Sequence, residues 1–348
     1  MPSLHPPKLP VSWQPLRLEL HQPFAIAHGV SSTRQNVLVY VGGGIGEAAS
    51  VPYLGETEQG ITDYLRQIDF RDAADPLLLV DLIEALPAGS AAARAALDIA
   101  LHDAWGRALG QPLYRLLGLD PERIAPTSVT IPLATPSQMA ESARRLDAPS
   151  LKIKLGLDAD ELRFGAVRRA TAARLRVDAN GGWSRERAEQ LLPLFAEAEV
   201  ELVEQPLPPG DLEGLRALSR VRSRPRIFVD ESIKTSADIL AHHGLVDGVV
   251  IKLAKSGGIR GALQQISLAR ALGLEVMLGC MIESSVAVTA AAHLAPLAQW
   301  VDLDGPLLID NDPFEGVRYE RGRLILPDGP GLGVHPRGVP SIAPKSPR

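Results

Sequence analysis

A single charged residue recurs at the end of successive apolar segments in the second half of the chain. Its positions are Lys154, Asp178, Glu204, Asp230 and Lys252, and the intervals between them are 24, 26, 26 and 22 residues. A strand, a helix and two connecting loops together take about that many residues. The spacing therefore predicts repeated β-strand–α-helix units, in which each charged side chain occupies the carboxyl end of a parallel strand.

Eight segments of this region are predicted to form strands, because each is short and apolar. They are residues 127–131, 151–155, 175–178, 201–204, 227–230, 249–253, 275–278 and 300–303. The helical patterns between them are 137–146, 159–172, 184–198, 211–221, 236–243, 259–272 and 284–297. Strands and helices that alternate in this way predict an α/β fold, a (β/α)7β TIM-like barrel whose strand ends converge on one mouth.

The first third of the chain lacks this alternation. Its predicted elements are strands at 13–28 and 35–41, a glycine-rich hairpin connection at 42–46, and helices between 57 and 118 that include one long helix from 91 to 117. Near the other end, a short strand is predicted at 323–326. We therefore expect an N-terminal α+β capping domain (1–122), a barrel catalytic domain (123–316), and a C-terminal segment that returns to the cap and ends in a Pro-rich tail (317–348).

The composition excludes several classes of protein. A net charge of −5 offers no electrostatic basis for binding nucleic acid or an anionic membrane. The one cysteine, Cys280, cannot form an internal disulfide and fits a reducing compartment. No segment has the pattern of a signal peptide or of a membrane span, so a cytoplasmic location is expected.

Lysine is scarce, and its placement is informative. The chain has 7 lysines among its 36 basic residues, and four of them (Lys152, Lys154, Lys252 and Lys255) lie near predicted strand ends. Arginine stays protonated in proteins, whereas lysine can lose its proton and act as a base. The distribution therefore favours a site at which amines take part in the chemistry.

The charged residues at the mouth suggest a reaction. Three converging carboxylates repel one another unless a cation lies between them, and an all-oxygen ligand set suits Mg²⁺. Two lysines on opposite sides of such a cation could remove a proton next to a substrate carboxylate and return one on the other face. The cation would stabilise the charge of the enediolate, and the net result is inversion of a stereocentre.

In these features the chain resembles the enolase superfamily, and within it the muconate lactonizing enzyme subgroup, over residues 13 to 335. The motifs that carry the resemblance are Lys152-Ile153-Lys154, Asp178-Ala179-Asn180, Glu204-Gln205-Pro206, Asp230-Glu231-Ser232 and Lys252-Leu253-Ala254-Lys255. The resemblance implies that Asp178, Glu204 and Asp230 bind Mg²⁺ and that Lys154 and Lys252 are the acid/base catalysts. It also implies that Lys152 holds the substrate carboxylate, with Asn180 and Glu231 in supporting positions.

The last predicted strand carries residues that indicate which substrate is bound. Asp302 and Asp304 share a face there, as in the Asp-x-Asp motif of dipeptide epimerases, where the motif binds the amino terminus of the substrate. Thr130 matches a residue of the same pocket. The resemblance therefore implies a dipeptide epimerase that inverts the α-carbon of the C-terminal residue of an L-Ala-L-Xaa dipeptide, either L-Ala-D/L-Glu or a less acidic relative. Like other members of the superfamily, the protein is expected to be a homo-oligomer.

One position departs from the pattern of the glutamate-specific epimerases. These carry an arginine on a loop of the capping domain that is expected to cover the mouth, here residues 23–29, where the present chain has Gly29; the nearby Arg34 is expected to be out of register. The alternatives within the superfamily are an N-acylamino acid racemase and an o-succinylbenzoate synthase. An alternative of another class is a non-catalytic barrel that binds a metal or a metabolite, although two opposed lysines are unnecessary in a binding protein.

Overall fold

The structure is a computed structural model that describes residues 9–27, 29–70 and 75–338. Most of the predicted Pro-rich lead-in, His28 of the predicted cap loop and the end of the predicted tail lie outside the described residues. Within this part of the chain, no helix combines the length and the apolar character needed to cross a bilayer.

The chain begins with a three-stranded antiparallel sheet in the order β1-β2-β3. Its strands are β1 (Val11–Ile26), β2 (Gly29–Val41) and β3 (Gly44–Ala48). Gly42 and Gly43 form the turn between β2 and β3, with φ angles of 57° and 85° that favour glycine. The hairpin connection is shorter than predicted, because residues 44–46 already pair with β2.

In the described residues that follow this sheet, the helices are α1 (Glu58–Leu65), α2 (Leu79–Glu84), α3 (Ala91–Ala108) and α4 (Leu113–Leu116). The prediction of one helix from 91 to 117 was wrong. Gly110 adopts a left-handed φ of 65° after the end of α3, and Pro112, which has no N–H to donate, precedes the start of α4. The break turns the chain from the cap towards the barrel.

Eight parallel strands form the second sheet, in the order β11-β10-β9-β8-β7-β6-β5-β4. They are β4 (Val129–Ile131), β5 (Ser150–Lys154), β6 (Arg174–Asp178), β7 (Leu202–Glu204), β8 (Arg226–Val229), β9 (Gly248–Lys252), β10 (Glu275–Gly279) and β11 (Trp300–Asp302). The helices are α5 (Pro136–Arg145), α6 (Asp160–Ala170), α7 (Arg185–Glu197), α8 (Leu212–Leu218), α9 (Ser236–His242), α10 (Leu253–Ser256), α11 (Ile259–Ala271) and α12 (Ser285–Ala292).

The first and last of these strands meet, so the sheet is a nearly closed barrel. Ser128 donates its backbone N–H to the Val301 carbonyl at 3.1 Å, and Thr127 bridges to Val301 in parallel. The predicted α/β barrel with a separate cap is therefore confirmed. The short helix α10 and the early end of α12 before Pro296 were not predicted.

Side chains that point into the barrel fill it below the mouth. Leu202, Phe228, Val250 and Met277 form a buried cluster that packs against Trp300. Each of these residues lies two positions before a residue at the mouth, and residues i and i+2 of a strand share a face. The charged residues that follow them therefore also face the barrel axis.

Two acidic residues of the N-terminal part form hydrogen bonds with the starts of barrel helices. Glu47 of β3 accepts hydrogen bonds from the Ser284 N–H at 3.0 Å and the Ser284 hydroxyl at 2.5 Å, at the start of α12. Asp98 of α3 accepts from the Ile259 N–H at 2.6 Å, at the start of α11. A carboxylate at a helix N-terminus satisfies free N–H groups and interacts favourably with the helix dipole.

The C-terminal segment contacts both parts of the molecule. Its strands are β12 (Phe314–Glu315), β13 (Arg318–Glu320), β14 (Arg323–Ile325) and β15 (His335–Pro336). Gly331 exchanges backbone hydrogen bonds with Gln111 and Leu113 between α3 and α4, while Gly322 accepts one from Thr127 at the start of the barrel. The segment thus spans the join between cap and barrel.

Candidate active site

The strand ends bring the predicted residues together at the mouth. Lys154 is in register with Asp178, and Asp178 is in register with Glu204 on the next strand. Asp230 directly follows β8, and Lys252 ends β9. Because β5 and β9 are four positions apart in the eight-stranded order, Lys154 and Lys252 lie on opposite sides of the barrel.

The three carboxylates, Asp178, Glu204 and Asp230, are buried and lie against ammonium groups. Asp178 Oδ2 accepts from Lys154 Nζ at 2.6 Å and lies 3.0 Å from Lys152 Nζ. Asp230 Oδ2 accepts from Lys252 Nζ at 2.8 Å. These pairs lower the pKa values of Asp178 and Asp230, because the lysine charges outweigh the opposing effect of burial.

Glu204 differs from the other two carboxylates. Its Oε2 lies 2.7 Å from Lys152 Nζ, yet this contact lacks hydrogen-bond geometry and both carboxylate oxygens are buried without a hydrogen-bond partner. Burial, followed by the Asp178 charge, raises the pKa of Glu204 well above its usual value. Apart from the nearby Lys152 ammonium, the two oxygens of Glu204 are therefore open to a further cationic ligand.

As they stand, no three His, Cys, Asp or Glu side chains of the described residues are arranged to hold a metal ion. At the mouth the carboxylates are turned towards lysines instead. The donor set nevertheless fits a hard divalent cation, since it consists of oxygens on three neighbouring strands and includes the two unpartnered oxygens of Glu204. Mg²⁺ at this position would be held by Asp178, Glu204 and Asp230.

The same charges raise the pKa values of two lysines at the mouth, Lys152 and Lys252. Burial works to lower the pKa of Lys152, but Asp178, Asp302 and Glu204 outweigh it and hold that pKa well above its usual value. Asp230 has the same effect on the pKa of Lys252. Without a cation the site therefore keeps both of these amines charged, the state in which neither can act as a base.

Lys255 is a member of the site to which the sequence assigned no role. Its Nζ donates to Asp230 Oδ1 at 2.5 Å and to the Asp230 carbonyl, and burial lowers its pKa. The residue lies in the short helix α10, whose position determines which way the ammonium points. The sequence did contain a signal that could have assigned Lys255 to the site, since it is one of the few lysines near a predicted strand end.

Asn180 and Glu231 lie beside the carboxylates. Asn180 Nδ2 donates to Glu231 Oε1 at 3.0 Å, and both side chains are buried. Asn180 has a positive φ of 44° after the end of β6. The contact fixes the loops that carry Asp178 and Asp230 relative to each other.

Asp302 and Asp304 lie across the mouth from this group. Asp302 Oδ2 accepts from Lys152 Nζ at 2.7 Å, and its Oδ1 accepts from the Ser128 hydroxyl at 2.6 Å. Asp304 Oδ2 accepts from the Thr130 N–H at 2.6 Å. Burial, followed by the Asp302 charge, raises the pKa of Asp304 to about 6.

A cavity of about 460 Å³ opens between the barrel mouth and the cap, where the β1–β2 hairpin and the turn at residues 51–53 face the barrel. From the barrel it is lined by Thr130, Lys152, Lys154, Asn180, Lys252, Cys280, Asp302 and Asp304. From the cap it is lined by Gly29, Arg34 and Tyr53, so Arg34 reaches the cavity. Burial raises the pKa of Cys280 well above its usual value, as suits an unreactive thiol.

The fold and this site define a class of protein. Residues 138–338 match the family described as Enolase C-terminal domain-like, and residues 11–118 match the Mandelate racemase / muconate lactonizing enzyme, N-terminal domain. The chain belongs to this family of the enolase superfamily.

Among its relatives, the chain is similar to the L-Ala-D/L-Glu epimerase of Bacteroides thetaiotaomicron, with 37% identity over 94% of this chain and 88% of the relative. It is 45% identical to the Hydrophobic dipeptide epimerase of Roseobacter litoralis over 69% of this chain and 72% of the relative. A solved dipeptide epimerase from Cytophaga hutchinsonii, complexed with Mg and the dipeptide D-Ala-L-Val, superposes with a TM-score of 0.89. That match has 29% identity and covers 95% of this chain and 96% of the other.

Proposed function

We propose that the protein is a Mg²⁺-dependent dipeptide epimerase that inverts the α-carbon of the second residue of its substrate. The observation that carries the proposal is the placement of Lys154 and Lys252. They lie on opposite sides of one barrel, line the same cavity and flank a cluster of buried carboxylates. The names of the relatives support the same reaction class.

Each residue has a role in this reaction. Asp178, Glu204 and Asp230 hold the cation, and Lys152 pairs with the carboxylate of the substrate. When bound, Mg²⁺ supplies positive charge that stabilises the negative charge building on that carboxylate and that lowers the pKa of the neighbouring lysines. One of Lys154 and Lys252, as the neutral amine, takes the α-proton, and the other, as the ammonium, donates a proton to the opposite face.

Asp304, with Asp302 beside it, receives the free ammonium of the dipeptide. Both oxygens of Asp302 accept hydrogen bonds, one from Lys152 and one from Ser128. Asp304 accepts a hydrogen bond from the Thr130 N–H through its Oδ2. A charge-assisted hydrogen bond to a buried carboxylate is one of the stronger polar contacts in proteins. This arrangement favours a free amino terminus over an acylated one.

The lysine roles are tested by proton exchange in D₂O. We expect the protein with Mg²⁺ to incorporate deuterium at the α-carbon of L-Ala-L-Xaa dipeptides, as followed by NMR. Lys154→Met and Lys252→Met should each abolish epimerisation, because one face of the α-carbon then has no base or acid. In each variant, exchange should persist with only one of the two epimers, and with the opposite epimer in the other variant.

The matched control is Lys234→Met, which removes an exposed lysine that does not line the cavity. Its epimerisation rate should equal that of the unmodified protein. Deuterium entering N-succinyl amino acids but no free dipeptide would instead support the acylamino acid racemase. An absence of exchange with every dipeptide would support the non-catalytic barrel.

A further inference from the structure

Two aspartates of the carboxylate cluster each have one oxygen occupied by a donor from elsewhere in the protein. Asp178 Oδ1 accepts a hydrogen bond from the backbone N–H of Asn180 at 2.9 Å. Asp230 Oδ1 accepts one from Lys255 Nζ at 2.5 Å. The second oxygen of each aspartate, Oδ2, accepts from one of the two opposed lysines of the mouth. Each aspartate therefore directs only Oδ2 towards these lysines.

Lys255 holds the backbone of Asp230 as well as its side chain. Its Nζ also donates to the carbonyl of Asp230 and, at 3.3 Å, to the carbonyl of Val250. These three acceptors match the three N–H groups of an ammonium. The backbone N–H of Asp230 in turn donates to Gln205 Oε1 at 2.9 Å. Rotation of the Asp230 carboxylate would therefore break its contact with Lys255 while the backbone stays fixed.

The position of Lys255 is determined by packing between cap and barrel. The residue belongs to α10, where the preceding Ala254 forms a small buried cluster with Ala49 and Val51 of the cap. Only 3% of the Lys255 side chain is exposed. Bulk water therefore has little access to replace Asp230 as its partner.

Magnesium and calcium differ in what they require from carboxylates. Mg²⁺ demands near-ideal octahedral geometry and keeps several waters, whereas Ca²⁺ takes more oxygens and often binds both oxygens of one carboxylate. A carboxylate with one oxygen already held by a donor is poorly suited to binding a cation through both. The donors on Asp178 and Asp230 therefore disfavour Ca²⁺ more than Mg²⁺.

The third carboxylate does not contribute to this discrimination. Both oxygens of Glu204 lack a hydrogen-bond partner among the described residues, so this side chain can adapt to either ion. The donor to Asp178 is a backbone group, which a substitution does not remove. Lys255 is thus the side chain through which the number of available oxygens can be changed.

We propose that Lys255 makes the site select Mg²⁺ over Ca²⁺ by withholding Oδ1 of Asp230 from the bound cation. Lys255 is a positioning residue in this role, because it acts through Asp230 and does not line the cavity. The inference rests on the proposed function, since it takes the three carboxylates as the ligands of the cation. It does not depend on which dipeptide is the substrate.

The first test needs neither a variant nor a substrate. Calorimetric titration of the protein with MgCl₂ and, separately, with CaCl₂ gives the two dissociation constants. We expect Mg²⁺ to bind about 10-fold more tightly than Ca²⁺ or better. Equal or tighter binding of Ca²⁺ would overturn the proposal and leave the acid/base roles of Lys154 and Lys252 untouched.

The second test compares two neutral variants. Lys255→Met and Lys255→Gln remove the same charge and have side chains of nearly equal length, but only glutamine can donate to Asp230 Oδ1. We expect Lys255→Met to lower the ratio of the Ca²⁺ to the Mg²⁺ dissociation constant by about 10-fold, and Lys255→Gln to keep most of that ratio. Loss of charge alone would tighten the binding of both ions, and a structural defect would weaken both, so neither accounts for a changed ratio.

The control is Lys234→Met, since Lys234 is exposed and does not line the cavity. Its ratio should equal that of the unmodified protein, and near-UV circular dichroism shows whether each variant is folded. An unchanged ratio in Lys255→Met, or an equal fall in both Lys255 variants, would contradict the proposal. Should Lys255→Met fail to fold, the first test and Lys255→Gln decide, because a lost preference for Mg²⁺ despite a retained donor also contradicts it.

The outcomes separate this inference from the epimerase function. Selective Mg²⁺ binding that depends on Lys255, without exchange of any dipeptide in D₂O, would overturn the epimerase function and support the role of Lys255. Dipeptide exchange together with an unchanged ion ratio in Lys255→Met would do the reverse.

Discussion

Asp302 and Asp304 are two residues apart at the same mouth, yet their surroundings give them different properties. The Lys152 ammonium outweighs the effect of burial and lowers the pKa of Asp302. Asp304 lacks such a partner, and its pKa rises to about 6. The residue that we propose to bind the substrate ammonium is therefore also the one whose pKa lies at about 6.

This difference predicts a pH dependence of substrate binding. Asp304 must be ionised to hold the ammonium, so protonation as the pH falls through about 6 should raise KM for a free dipeptide. An N-propionyl amino acid has the same outline as the alanyl dipeptide but no ammonium. Its KM should not show this rise, and a parallel rise for both substrates would exclude Asp304 as the cause.

The same residue can be tested by substitution. Asp304→Asn should lower kcat/KM for a free dipeptide by about 10- to 100-fold, because a charged hydrogen bond becomes a neutral one. The N-propionyl analogue should lose little, so the discrimination between the two substrates should shrink. An equal loss for both would indicate a general structural role for Asp304.

At the scale of elements, the join between cap and barrel depends on helix caps supplied from another part of the chain. Asp98 belongs to α3 but caps α11, where it accepts from the backbone N–H groups of Ile259 and Arg260 at 2.6 and 3.3 Å. Gly258 allows this approach, because a Cβ there would lie 2.4 Å from Asp98 Cβ. Such a cap stabilises the helix and the domain contact at once.

Removal of this cap should therefore be costly. Asp98→Ala leaves one buried and one part-buried N–H group without this partner, and we expect a loss of about 1–3 kcal/mol in the free energy of unfolding. Asp120→Ala is the control, because Asp120 caps an exposed turn at Glu122 and should cost no more than about 1 kcal/mol. Urea unfolding measures both, and equal losses would contradict the role assigned to Asp98.

At the scale of the whole molecule, the buried carboxylates link folding to metal binding. Mg²⁺ that binds only the folded state should raise the stability by about 2.7 kcal/mol at 100 times its dissociation constant, and Tm should rise with concentration. Glu204→Gln should abolish this rise, because the neutral amide removes one negative charge from the ligand set, and the Tm of the metal-free variant shows separately what the loss of the Lys152 contact costs. Calorimetry measures both effects, and an undiminished rise in the variant would exclude Glu204 as a ligand.

Local sequence was sufficient to predict the barrel and the places of its charged residues. Strands of parallel sheets alternate with helices at a regular interval, so Asp178, Glu204 and Asp230 could be placed at neighbouring strand ends without coordinates. The assignment of Lys154 and Lys252 to opposite sides needed only the strand count. The roles of these residues in metal binding and catalysis stay predictions until they are measured.

Contacts between distant parts of the chain could not be predicted in this way. The break after α3 at Gly110 was missed because Leu113, Leu116 and Leu117 continue the apolar pattern beyond it. Arg34 lines the cavity because of the way in which the cap packs on the barrel. Hydrogen bonds of Asn36, Glu47 and Asp98 to the barrel fix that packing. The sequence by itself determined the barrel and the positions of its mouth residues, because strand period and spacing are local properties. Only the tertiary structure decided which cap side chains face them, because that depends on packing between segments far apart in the chain.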